Sequence, residues 1–196
     1  MYDKINITEN SLQVLALFTN GFERDYYIRE VEKVLDISPR TAQLMLEDLE
    51  NKGILESKKR GKIKSYTLRL NEHTNRYLLF VEQYKALAFL EKSLIVKEMI
   101  EKITPYIQGV GVIFGSYAKG LENKESDLDV FIAGSYNKEE VKKVSKNFGI
   151  NISVKCYPMK VFEKNVGKDI LLKEIAKTHI IIANGEKFIE VMVKHA

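Results

Sequence analysis

Two modules of mixed α and β structure are what the sequence predicts, and three observations carry that expectation. Residues 5–70 order as helix, helix, turn, helix and basic hairpin. Arg76 to Thr104 contains no Gly or Pro. A strand, a Gly-Ser pair, a brief helix and a second strand with two aspartates then occupy residues 110–133.

Taken in order, Ser11 suits the cap of a first helix whose Leu12, Leu15, Ala16 and Phe18 fit a 3.6-residue period and which ends near Gly21. A second helix runs from about Ile28 to Leu35. The third is the best defined: Ser38 suits the N-cap, Pro39 the first helical position, and Ala42, Met45, Leu46 and Leu49 form one apolar face until Gly53. Next, Ile54 and Leu55, then Ile63, Tyr66 and Leu68, flank a turn at Arg60-Gly61-Lys62. After the polar joint Asn71 to Thr74, the stretch from Arg76 to Thr104 reads as one helix or two abutting ones, closed by Pro105 and Gly109. Its Tyr77 to Leu90 part is apolar on more than one face, which suits either a dimer seam or packing within one chain.

Composition bounds the function. The chain has 196 residues, 45% of them apolar and 30% charged, which is the make-up of a globular protein and excludes disordered and fibrous classes. The start, MYDKINITEN, lacks the plan of a signal peptide, and no apolar run approaches the roughly eighteen residues of a membrane helix, so a cytoplasmic protein off the membrane is expected. Cys156 has no partner for an internal disulfide, and His73, His179 and His195 lack metal-ligand spacing. The net charge is only +4, but its distribution is uneven: six Lys and Arg against eleven Asp and Glu precede Ser57, while Ser57 to Leu70 holds six basic residues and no acid. Positive charge crowds the hairpin.

Over roughly residues 5–70 this order of elements resembles the winged helix-turn-helix family. The resemblance implies a third helix in the major groove, with Arg40, Thr41 and Gln43 near base edges, and a wing whose Lys58, Lys59, Arg60, Lys62 and Lys64 meet phosphates. Lysine and arginine at a hairpin tip displace counterions from a duplex whatever its sequence. Glu47 shares the helical face of Arg40 and Gln43 and opposes phosphate. A winged fold used for protein contacts is the alternative.

The segment GSYAKGLENKESDLDV, Gly115 to Val130, carries the chemistry. Residues 110–114 read as a buried strand, Tyr117 to about Leu121 as a short helix, and Asp127 to Ala133 as the next strand. Alternation sends Asp127 and Asp129 to one side and Leu128, Val130 and Ile132 to the core. Two like charges so close repel unless a cation lies between them, and magnesium takes oxygen ligands together with substrate phosphates. A glycine at the strand end lets backbone approach a phosphate; the helix start adds amides and Ser116 a hydroxyl. Donors for phosphate thus face acids for metal, which is what phosphoryl transfer requires.

Over about residues 92–190 the sequence looks like the minimal nucleotidyltransferases of the DNA polymerase beta superfamily. The resemblance implies that Gly115 and Ser116 hold phosphate, that Asp127 and Asp129 are catalytic and bind Mg2+, that Ser126 is the serine before the first acid, and that Lys119 assists the triphosphate. KTHIIIANGEKF, a strand followed by Gly185, looks like the end of such domains. Active members carry a third carboxylate on a later strand, which shares a metal and draws the proton from the attacking hydroxyl. Here that strand is NISVKCY, Asn151 to Tyr157. With Ile152 and Val154 inward, the outward residues Asn151, Ser153 and Lys155 include no acid, and Ser153 takes the aligned place. Glu163 and Asp169 follow in a segment whose Phe162, Val166, Ile170 and Leu171 are spaced as a helix.

The expected fold class is therefore α+β: an N-terminal winged helix-turn-helix (1–71), a helical linker and first helix of the next domain (72–104), and a C-terminal nucleotidyltransferase-like domain with a mixed β-sheet flanked by helices (105–196). The leading function is a Mg2+-dependent nucleotidyltransferase that moves an NMP from an NTP onto an acceptor hydroxyl, with DNA as a second partner. Two others fit the same residues: a DNA-binding regulator with a degenerate transferase domain, and an antitoxin-like protein with a protein partner.

Overall fold

The computed structural model describes residues 5–61 and 63–196, with the side chain of Arg60 also outside that description. The chain divides into two compact units, Met1–Val81 and Glu82–Ala196. No helix among the described residues is long and apolar enough to cross a membrane.

In the first unit, α1 (Glu9–Phe18) is capped by Thr8 and not by Ser11. Thr8 has the extended backbone a cap requires, and its hydroxyl accepts from the Ser11 amide at 3.2 Å, which leaves Ser11 buried in the first turn. After β1 (Tyr26–Tyr27), α2 (Ile28–Leu35) stops at Asp36, whose φ of 52° ends the helix in the left-handed region. Helix α3 (Pro39–Asn51) starts on Ser38, which accepts from Thr41 N at 3.0 Å. Its Ala42, Leu46 and Leu49 are fully buried, as are Leu15, Phe18, Val31 and Tyr66. Strands β2 (Leu55–Arg60) and β3 (Ile63–Leu68) form an antiparallel hairpin, and β1 joins the free side of β3.

The long Gly- and Pro-free stretch is two helices, α4 (Glu72–Leu90) and α5 (Leu94–Ile103). Ser93 breaks it by capping α5 through the Val96 amide. Strand β4 (Ile107–Ile113) follows, then α6 (Gly115–Lys119), β5 (Leu128–Tyr136), α7 (Lys138–Phe148), β6 (Ile152–Tyr157), α8 (Met159–Asn165), α9 (Ile170–Lys177), β7 (Ile180–Ala183) and α10 (Gly185–Lys194). Where one helix was expected beyond Phe162 there are two, because Asp169 leaves the helical path to cap α9 through Leu172 N at 3.0 Å.

The sheet of the second unit runs β6-β5-β4-β7; β5 and β6 are parallel and the other pairs antiparallel, so the sheet is mixed. Strand alternation splits β5 between two layers. Leu128, Val130 and Ile132 pack with Val96, Met99, Ile100, Val141 and Val144 from α5 and α7, and Ala86 of α4 joins them. The opposite face carries Phe131, edge-on to Tyr157 at 5.5 Å and next to Phe162, which stacks on Phe188. The second unit also holds a buried polar cluster. Glu82, with no exposed side-chain surface, accepts from Lys85 Nζ at 2.7 Å and lies 3.4 Å from His179 Nε2, while His179 Nδ1 donates to the Ile175 carbonyl at 2.8 Å.

Candidate nucleotide site

Backbone pairing builds the site before any side chain does. Strands β4 and β5 match Val112 with Phe131 and Ile113 with Val130, and Phe114 N then donates to the Asp129 carbonyl at 3.0 Å. That bond fixes Asp129 beside the turn into α6. Gly115 makes the turn at φ +71°, and a Cβ on it would overlap the Asp129 carboxylate. Glycine is required twice here, for the left-handed backbone and for the room the acid takes up.

Asp129 is half-buried at the start of β5, whereas Asp127 is exposed and, contrary to the expected strand Asp127 to Ala133, immediately precedes it. The charge of Asp127 is felt by Tyr117, a residue absent from the sequence-based candidates. The Tyr117 phenol is pushed up by burial first and then by the negative charges of Glu122 and Asp127. Helix α6 begins at Gly115 with Phe114 as its cap, and Phe114 has no side-chain group to bond its first amides. Ser116 is half-buried and its hydroxyl makes no hydrogen bond among the described residues.

Two neighbours are otherwise engaged. Ser126 Oγ accepts from Asn123 N at 2.9 Å and so closes the turn before Asp127. Lys119 Nζ lies 2.8 Å from Glu174 Oε1 of α9, an exposed ion pair.

The parallel register of β6 on β5 sets Ser153 directly across from Asp129 and Lys155 across from Phe131. Ile152 and Val154 pack against the core of the other face, which puts Ser153 and Lys155 on the Asp129 side. No acid stands at Ser153 or Lys155. Glu163 pairs with Lys187 at 2.9 Å, and Asp169 is committed to the cap of α9 with Tyr157 OH at 3.5 Å. Among the described residues, no group of three or more His, Cys, Asp or Glu is placed to hold a metal.

In the first unit the residues expected at base edges form a ladder along α3. Arg40 donates to Gln43 Oε1 at 3.4 Å, and Gln43 Nε2 donates to Glu47 Oε1 at 2.8 Å. Thr41 is tied to Ser38, hydroxyl to hydroxyl, at 2.8 Å. On the hairpin, Lys58 and Lys59 are exposed, while Lys64 pairs with Glu50 at 2.6 Å and lies over the Tyr66 ring. Lys62 and the side chain of Arg60 lie outside the described residues.

The mixed sheet with a glycine turn against an aspartate defines a class, and a family model bears on it directly: residues 95–194 match the nucleotidyltransferase domain. The chain belongs to that family. No curated protein and no solved structure matches it.

Proposed function

We propose that the protein is a magnesium-dependent nucleotidyltransferase that moves an NMP from an NTP onto an acceptor hydroxyl. The observation that carries this reading is the packing of the Asp129 carboxylate on Gly115, inside the segment that matches the family. The donors suit the ion: Asp129 at the start of β5 and Asp127 just before it offer carboxylate oxygens, and magnesium prefers such oxygens with substrate phosphates completing its shell. Held by Asp127 and Asp129, magnesium would supply charge neutralisation and polarisation of the phosphate chain. The chain's own part is positional. Gly115 admits the Asp129 carboxylate close to the turn, Ser116 offers the phosphate chain a hydroxyl donor, and Asp129 is held in place by the Phe114 amide on its own carbonyl.

A second reading is favoured by Ser153. A positioned general base is worth about a hundredfold to ten-thousandfold in rate, and serine is not one at neutral pH. On this reading the domain binds NTP with magnesium and transfers slowly or not at all, and the protein is a regulator. In both readings the first unit is a winged helix-turn-helix that meets DNA, supported by the order of its elements and by Lys58 and Lys59 on its hairpin. Incubation of the full chain with labelled NTP, magnesium and candidate acceptors separates them. Labelled product supports the transferase, and metal-dependent binding without product supports the regulator. Absence of any metal-dependent NTP binding contradicts both.

A further inference from the structure

The strand next to Asp129 carries a cation that none of the described residues engages. Strand β6 places Ser153 and Lys155 two residues apart on the face of Asp129, because the parallel register sets Ser153 across from Asp129 and Lys155 across from Phe131. Adjacent strands lie about 4.8 Å apart and parallel strands rise about 3.3 Å per residue, so the Lys155 Cα lies about 8 Å from that of Asp129. A four-carbon stem spans most of that distance. Lys155 is exposed and makes no hydrogen bond or ion pair among the described residues. The other lysine expected near the phosphates, Lys119, is held by Glu174.

Charge decides what such a lysine does. Two carboxylates balance one divalent ion, and a bound triphosphate then brings more negative charge than that ion offsets. With a serine in place of an acid at 153, the chain has no third carboxylate on this strand to hold a second ion. We infer that Lys155 is a phosphate-binding residue of this site, its ammonium engaging the phosphate chain of the bound NTP in place of a second metal. The inference rests on the reading of the Gly115–Asp129 turn as a nucleotide site.

Calorimetric titration of the full chain with ATP and, separately, with inorganic triphosphate, both with magnesium, tests this. Lys155→Gln should weaken both ligands by about tenfold, the size of one charge-assisted hydrogen bond. Lys155→Arg keeps the charge and should bind close to wild type. Because the side chain is exposed, thermal unfolding of either variant should match wild type, so that weaker binding reports on the phosphate and not on the fold. If Lys155→Gln binds both ligands as wild type does while Asp129→Ala does not, the role given to Lys155 is overturned and the site reading stands. If wild type binds neither ligand, the site reading fails and the inference with it.

Discussion

Two acids of the second unit are fixed against neighbours, whereas the hairpin of the first leaves Lys58 and Lys59 in solvent. Asp129 rests on Gly115, its backbone tied to Phe114, and Glu82 is buried between Lys85 and His179. Lys58 and Lys59 instead stand toward solvent on β2, and of the described hairpin lysines it is Lys64, paired with Glu50, that is withdrawn. A fixed charge can select one ligand geometry and contributes to stability. A solvated one acts at longer range, is weakened by salt, and tolerates many partners.

The largest expected effect is on chemistry. If Ser153 stands where an acid would serve as base, Ser153→Asp should raise transfer from labelled NTP by about a hundredfold or more. Failure to gain either turnover or metal affinity would remove Ser153 from the place assigned to it. Next comes the buried acid. Burial pushes the Glu82 carboxyl up, but the charges of His179 when protonated and of Lys85 outweigh it and hold it down at about 2, while burial pushes the His179 imidazole down. The folded value of Glu82 lies below the ordinary carboxylate value, so the stability this carboxylate contributes is complete above about pH 4.5 and is lost as pH falls toward 2. Thermal unfolding across that window should show the loss in wild type, and Glu82→Gln should flatten the curve. An equally steep curve in the variant would assign the acid sensitivity elsewhere.

A smaller effect is expected at Gly115. Gly115→Ala forces a side chain into the left-handed region and against Asp129, for about 1–2 kcal/mol of backbone strain alone. Chemical denaturation reads that loss, and an unchanged midpoint would contradict the close packing. The smallest effect belongs to the hairpin. If it binds duplex DNA, replacing Lys58 and Lys59 should make the salt dependence of binding shallower by about one unit for each phosphate no longer neutralised. Lys64→Gln should change the slope little, since Lys64 already faces Glu50. Equal slopes for all three would mean that pairing with Glu50 does not withdraw Lys64 from DNA.

Local signals were legible where they act within a few residues. Ser38 and Pro39 mark the start of α3, and strand alternation separates Asp129 from Leu128 and Val130. The same alternation on β6 sets Ser153 and Lys155 outward, as the structure has them. The cap of α1 falls to Thr8 instead of Ser11 because both carry hydroxyls and only backbone conformation decides between them. The Glu82, Lys85 and His179 cluster was not legible at all. It joins residues almost a hundred positions apart, and a lone buried histidine carries no spacing signal. Ion pairing hid as well: nothing in the sequence ties Lys119 to Glu174 or Lys64 to Glu50.

The central claim is that the turn from Gly115 to Asp129 holds an NTP through a metal. Its most direct test is calorimetric titration of NTP into wild type, Asp127→Ala and Asp129→Ala, each with magnesium and with a chelator. Wild type should bind only with magnesium, and both variants should lose most of that binding. Equal binding by all three proteins with or without the metal would contradict the account.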